Sequence, residues 1–404
     1  MAGQSHLHPS DLHGLSRLGI DAVTGLTDLV EAMHHNIASK PGLLGKPPTG
    51  RTRGITGLVY HSIHGVTRLV GGSLDAVLGQ LVPLFGEKPS SPEREAVLSA
   101  LNGVLGDHLE AKGNPLAIRM RLRRAGQALR MEKAALAAAF PNAGGRLLVL
   151  AHGLCMNDLQ WRRQGHDHGA ALESELGYSA VYLHYNSGRH ISTNGREFAD
   201  LLEALLENWP VPVHELSILG HSMGGLLARS AWHYGTAAGH AWPRRLKKLV
   251  FLGTPHQGAP LERGGNWIDL LLGASPYSAP LSRLGKIRSA GITDLRHAYL
   301  LDEDWQGRDR FERACGHQAA LPLPQGVRCF AIAATTGGRI GDLKDRLVGD
   351  GLVPLASALG CHAQDDRNLM FPESRQWIAR KTGHLGLLRS RAVQARIRRW
   401  LGTG

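Results

Sequence analysis

Cysteine is scarce: four in 404 residues, at Cys155, Cys315, Cys329 and Cys361. That is too few for a disulfide-built scaffold, and no two stand at metal-ligand spacing. The scarcity suits a reducing compartment, with a Cys315–Cys329 bridge left open. No apolar run reaches the length of about 18 residues that a membrane-crossing helix needs, so none is expected. Met1-Ala2-Gly3-Gln4-Ser5-His6 lacks a basic stretch followed by an apolar run, so no signal peptide is expected either. Acidic residues are outnumbered 34 to 46 by Lys and Arg, giving a net charge of +12. The basic residues gather at Arg119, Arg121, Arg123, Arg124 and Arg130, and again at Arg389, Arg391, Arg396, Arg398 and Arg399. Aromatic residues make up only 5% and do not interleave with these clusters. Nucleic-acid binding is therefore not expected, and a solvated basic face is the simpler reading than attraction to anionic surfaces. A cytoplasmic location, with or without membrane association, is the default expectation, with export by an unrecognised route left open; no metal and no cofactor are expected.

What is present is chemistry-bearing. Gly220-His221-Ser222-Met223-Gly224 reads G-x-S-x-G. Val213–Leu219 before it alternates apolar residues as a buried strand does, and Gly225–Trp232 after it has helical spacing. A serine held on a sharp strand-to-helix turn needs neighbours without bulk, which Gly220 and Gly224 supply. Such a turn exposes the hydroxyl at the carboxyl edge of a sheet, beside the free N–H groups of a helix start.

Upstream, Leu147–Ala151 is a continuous apolar run, as in a buried parallel strand. It leads into His152-Gly153-Leu154-Cys155-Met156-Asn157-Asp158. A loop in this position supplies one oxyanion N–H and the residue after the nucleophile supplies the other, here Leu154 and Met223. Gly153 lets the backbone come close, and His152 reads as a loop residue rather than a base. Asn157 and Asp158 are placed to hold the loop backbone. Downstream, the order serine, acid, histidine points past the strand-like Val327–Ala333. Asp350, in Val348-Gly349-Asp350-Gly351-Leu352-Val353-Pro354, is the first choice for the acid, with Asp342 and Asp345 competing. Asn368–Phe371 reads as the last strand, and His384, in Thr382-Gly383-His384-Leu385-Gly386, is the last histidine of the chain.

These pieces, with Gly253-Thr254-Pro255-His256-Gln257-Gly258-Ala259-Pro260, resemble the α/β-hydrolase superfamily. The resemblance covers roughly residues 145–404 and comes nearest the lipase-like branch of PGAP1-type GPI inositol-deacylases and bacterial triacylglycerol lipases. It implies a mostly parallel sheet with helices on both faces, with Ser222 as nucleophile, Asp350 as orienting acid and His384 as base. The expected activity is hydrolysis of carboxylic esters, lipid-like ones foremost. An acyltransferase, an intracellular polyester depolymerase and a non-catalytic lipid-binding protein are the alternatives.

Two regions exceed a minimal hydrolase. Residues 1–115 read as a helical extension, ahead of a hydrolase domain at 116–404. Leu15, Leu18, Ala22, Leu26, Leu29, Met33 and Ile37 mark one amphipathic helix; Ile55, Val59, Ile63, Val66, Val70, Leu74, Val77 and Leu81 mark a second. Val23–Val30 repeats weakly in Ile63–Val70, and Gly25 and Gly65 suggest close backbone packing as a hairpin. The segment between, Lys40 to Arg53, reads as a loop, and Ser91-Pro92-Glu93 opens a third helix. Peripheral contact with a membrane or lipid surface through these helices is one expectation; packing on the hydrolase core is the other. Residues 256–325 are surplus and expected to form a cap or lid, with Trp267–Leu272 as a helix in it. Oligomeric state is not legible.

Overall fold

The computed structural model describes residues 9–38, 54–81, 90–258, 289–308, 319–337 and 349–403. Contacts divide the chain into two compact units, one of residues 1–94 with 109–117, the other of residues 95–108 with 118–404.

The first unit is built on two long helices, α1 (Pro9–Ala38) and α2 (Gly54–Leu81), followed by the start of α3 (Pro92–Ala111). Ser91 caps α3 by accepting a hydrogen bond from the Arg94 amide at 3.2 Å, as the Ser-Pro-Glu opening predicts. Arg94 in turn grips Asp11 of α1 with two nitrogens, at 2.6 and 2.8 Å. The described members of the expected α2 stripe face outward: Val59, Ile63, Val66 and Val70 are 51%, 40%, 61% and 57% exposed, and Leu58 and Leu69 beside them are 68% and 72% exposed. Tyr60 and His64 on α2, and Asp11, His13 and Glu31 on α1, are buried instead. Helices α1 and α2 do pair, through His13–Asp75 and His64–Asp28 among others, but Gly25 and Gly65 make no close approach, since a Cβ at either would touch nothing within 4 Å. The close approach falls at Gly14, where a Cβ would stand 2.3 Å from Leu116. The loop expected over residues 40–53 lies outside the described residues, as do residues 1–6.

The second unit is an eight-stranded sheet: β1 (Arg121–Arg124), β2 (Gln127–Ala128), β3 (Arg146–Ala151), β4 (Ser179–His184), β5 (Glu215–His221), β6 (Leu246–Leu252), β7 (Arg328–Ala334) and β8 (Gln376–Ala379). The spatial order is β2-β1-β4-β3-β5-β6-β7-β8. β1 runs antiparallel to its neighbours β2 and β4; every other pairing is parallel. Along β3, Leu147, Val149 and Ala151 enter one apolar core while Leu148 and Leu150 enter another. The alternation places a core on each face of the sheet, which is why these strands read as unbroken apolar runs. Helices α4 (Lys133–Ala139), α5 (His168–Leu176), α6 (Ile191–Asn208) and α7 (Met223–Ala237) connect the strands. This strand order, with an antiparallel edge and helices on both faces, is the α/β-hydrolase fold.

At the amino ends of the central strands, Glu215 accepts from Tyr178 Oη at 2.5 Å, Lys248 Nζ at 3.0 Å and Arg146 Nε at 3.1 Å. Burial works against ionisation of Glu215, but the hydrogen bonds from Tyr178, Lys248 and Arg146 outweigh it and hold the pKa at about 2. Lys248 also donates to the carbonyl of Leu401 at 2.8 Å, so the last helix, Arg391–Gly402, is tied to the same knot.

The last strand is Gln376–Ala379, not Asn368–Phe371. Ile332 and Trp377 are partners in its pairing with β7. Phe371 is buried edge-on to Phe251 at 5.8 Å, so its apolar character serves packing rather than strand pairing. In the surplus region, the helix Ala290–His297 and the residues after it bury Ile292, Leu295, Leu300, Leu301 and Leu321 in the main core. The lid helix expected at Trp267–Leu272 lies outside the described residues, as does Cys315. Cys155, Cys329 and Cys361 are free thiols.

Candidate active site

Ser222 sits between β5 and α7 with φ 54° and ψ −124°. This is the left-handed half of backbone space, which costs a residue with a side chain on the order of 1–3 kcal/mol and persists only where neighbours enforce it. Three glycines enforce it here. A Cβ on Gly220 would lie 2.6 Å from Gly225 Cα, and one on Gly224 would lie 2.2 Å from the Ala151 carbonyl oxygen. Gly225, which the sequence pattern does not single out, would press a Cβ to 2.1 Å from Thr254 Oγ1. The strand-to-helix turn is therefore jammed against the end of β3 on one side and the loop after β6 on the other.

Asp350 and His384 come together. His384 Nδ1 donates to Asp350 Oδ2 at 2.7 Å, and both side chains are almost fully buried. The other carboxylate oxygen, Oδ1, accepts from the amides of Leu352 and Val353 at 3.0 and 2.7 Å. The His384 amide donates to the Asp350 carbonyl at 3.0 Å, so backbone as well as side chain joins the two loops. Gly349 and Gly351, at φ 53° and 99°, form the turn that aims the carboxylate. The competing acids, Asp342 and Asp345, lie outside the described residues.

The Asp350–His384 pair adjoins the serine turn through Gly253. The Ser222 amide donates to the Leu252 carbonyl at 2.9 Å. At the next residue, Gly253, a Cβ would meet both Asp350 Oδ2 and His384 Nδ1 at 3.1 Å. His221 also bridges the two: its Nε2 donates to the His384 carbonyl at 3.3 Å, and the two rings lie 4.7 Å apart. Burial, and then the nearby His384, push the His221 pKa well below the ordinary histidine value, so this ring is neutral.

The loop after β3 closes the other side. A Cβ on Gly153 would stand 3.0 Å from Ser222 Cβ, so Gly153 admits the loop backbone to the serine. His152 points away. Its Nδ1 donates to the Gly153 carbonyl at 2.9 Å and its ring stacks on Tyr185 at 4.3 Å. Burial drops its pKa to about 3, so it is a neutral brace. The Tyr185 hydroxyl donates to the His152 carbonyl at 2.8 Å. Asn157 caps the short helix after the loop, accepting from the Leu159 amide at 3.1 Å. Asp158 holds side chains rather than loop backbone: His184 Nδ1 at 3.0 Å and Arg123 at 3.2 Å. Cys155, at φ 59°, is buried against α3, and burial pushes its thiol up to about 12. It is a packing residue with no nucleophilic character. Leu154 and Met223 flank the serine, one in this loop and one as the first residue of α7. Among the described residues, neither backbone N–H is engaged by another group.

The strand order and the strand-to-helix turn at Ser222 are those of the α/β-hydrolase fold. Residues 142–320 of the chain match the family model described as the PGAP1-like alpha/beta domain. That match includes Gly153 and Ser222 and ends before Asp350 and His384. No curated protein matches the chain. Among solved structures, the mature form of the Bacillus licheniformis lipase BlEst2 is 16% identical over 64% of this chain and 92% of that one, with a TM-score of 0.43. Lipase B of Aspergillus fumigatus is 13% identical over 65% of this chain and 55% of that one, with a TM-score of 0.38. A thermophilic esterase of Thermogutta terrifontis is 14% identical over 64% and 90%, also with a TM-score of 0.38.

Proposed function

We propose that the chain is a serine hydrolase that cleaves carboxylic esters, lipid-like ones foremost, through an acyl-enzyme. The observation that carries this reading is the buried 2.7 Å hydrogen bond from His384 Nδ1 to Asp350 Oδ2 beside a strained Ser222. With Nδ1–H held by the carboxylate, Nε2 of His384 is left as the acceptor nitrogen. Ser222 Oγ attacks the ester carbonyl while His384 Nε2 takes its proton. The amides of Leu154 and Met223 donate to the oxygen that becomes negative, the second of them at the start of a helix. His384 then returns the proton to the departing alcohol, and water releases the acyl group by the same steps in reverse. The residues needed are all side chains and amides of this chain.

The outward apolar face of α2, with Leu58, Val66 and Leu69 largely exposed, supports peripheral contact with a lipid surface. Among the described residues no helix is long and apolar enough to cross a membrane.

Fluorophosphonate labelling tests the chemistry, because the probe reacts only with an activated serine. Wild type should label and turn over short p-nitrophenyl esters. Ser222→Ala should do neither while keeping its circular dichroism spectrum. Ester turnover retained by Ser222→Ala, or a folded wild type that takes no label, defeats the assignment.

A further inference from the structure

Among the described residues, α1 and α2 meet through several polar side chains. His13 Nε2 and Arg17 Nε both reach Asp75 Oδ1, at 2.6 and 2.9 Å. Farther along, His64 of α2 and Glu31 of α1 are each only 4% exposed. Asp28 and Glu31 stand three residues apart, so they share a face of α1 and present two carboxylates to one imidazole. The donor atoms of Asp28, Glu31 and His64 all lie within 4.8 Å of one another. His64 Nε2 is 3.2 Å from Asp28 Oδ1. Even so, this buried nitrogen makes no hydrogen bond. An unpaired imidazole nitrogen aimed into a carboxylate pair is costly unless something else satisfies it.

A cation satisfies it. The His64 ring nitrogen and the two carboxylates can all offer lone pairs to a common point. Two donors at about 2.0–2.1 Å from one tetrahedral zinc ion stand about 3.3 Å apart. The His64–Asp28 separation already has that value, and the flexible Glu31 side chain can close the remainder. The mixed nitrogen and oxygen set suits a transition metal better than magnesium or calcium, which prefer oxygen alone.

We infer that Asp28, Glu31 and His64 form a site for one divalent transition metal ion, zinc by its ligand set, that clips α1 to α2. The site is separate from the Ser222 chemistry and stands whether or not that chemistry holds. Its role is to join the two helices at a point where the polar side chains of Glu31 and His64 are buried.

The test uses the full chain, stripped with EDTA and titrated with Zn(II) by calorimetry and with Co(II) by visible absorption. One ion per chain should bind, with an intense tetrahedral Co(II) band and a rise in Tm on adding Zn(II). His64→Ala and Glu31→Gln should each weaken binding at least about tenfold. His61→Ala, an exposed histidine on the same helix, should bind as wild type does. Wild type without the Co(II) band, or with a Tm unmoved by Zn(II), overturns the proposal. So does affinity unchanged in His64→Ala, or lost equally in His61→Ala. If His64→Ala does not fold, the wild-type Co(II) spectrum decides alone.

Discussion

Asp350 is held on both oxygens, and this determines what its amide should do. Oδ1 accepts two backbone amides, from Leu352 and Val353, and Oδ2 accepts His384 Nδ1–H. An asparagine satisfies the two amides only by keeping its oxygen there, which turns its NH2 toward Nδ1. The imidazole must then carry its proton on Nε2, where the proposed reaction needs a lone pair. Asp350→Asn should therefore fold normally and lose about 10³–10⁴ in kcat with KM changed only a few-fold. Steady-state kinetics on a soluble p-nitrophenyl ester reads this directly, and a loss under tenfold would remove Asp350 from the orienting role. Much of this residue-level geometry was legible in the sequence. G-x-S-x-G places Ser222 and its two glycines because only small residues fit that turn. Gly225 and Gly253 were not legible, because their close contacts, with Thr254 and with the Asp350–His384 pair, are made only when distant loops meet.

At the scale of elements, the end of β3 is braced by α3, a helix with little amphipathic signal. A Cβ on Gly103 of α3 would fall 2.2 Å from Cys155 Sγ and 2.9 Å from Cys155 Cα. Cys155 is the residue after Leu154, so its backbone carries the loop that holds the Leu154 amide proposed above to face the oxyanion. Helix propensity alone would make Gly103→Ala stabilising by about 1 kcal/mol. The contact with backbone reverses the sign, since overpacking typically costs about 1–3 kcal/mol and here displaces the loop itself. Gly103→Ala should lower Tm and cut kcat for soluble ester at least tenfold; an unchanged or raised Tm with full activity would show that the loop yields freely. The same distinction explains which elements the sequence revealed. β3, β5, β6 and β7 are covered on both faces and announce themselves as apolar runs. β8 is a four-residue edge strand with one buried residue, so Asn368–Phe371, more apolar and followed by Pro372, drew the assignment in its place.

At the scale of the molecule, periodicity shows that α2 has an apolar face but not what covers it. Hydrophobic spacing is the same whether a stripe meets a protein core or a lipid surface, which is why the sequence left both open. The burial pattern, with His64 and Tyr60 inward and Leu58, Val66 and Leu69 outward, favours the surface. Fully burying a leucine or valine side chain is worth about 1.5–3 kcal/mol, so three of them at half that value contribute about 2–4 kcal/mol. Replacing Leu58, Val66 and Leu69 by serine should therefore weaken vesicle binding at least about thirtyfold. Turnover of dispersed lipid ester should fall with it, while turnover of soluble short ester stays at the wild-type rate, because none of the three residues belongs to the Ser222 site. If both substrates lose activity together, the stripe serves folding. If neither does and vesicle binding persists, the lipid surface is met elsewhere on the chain.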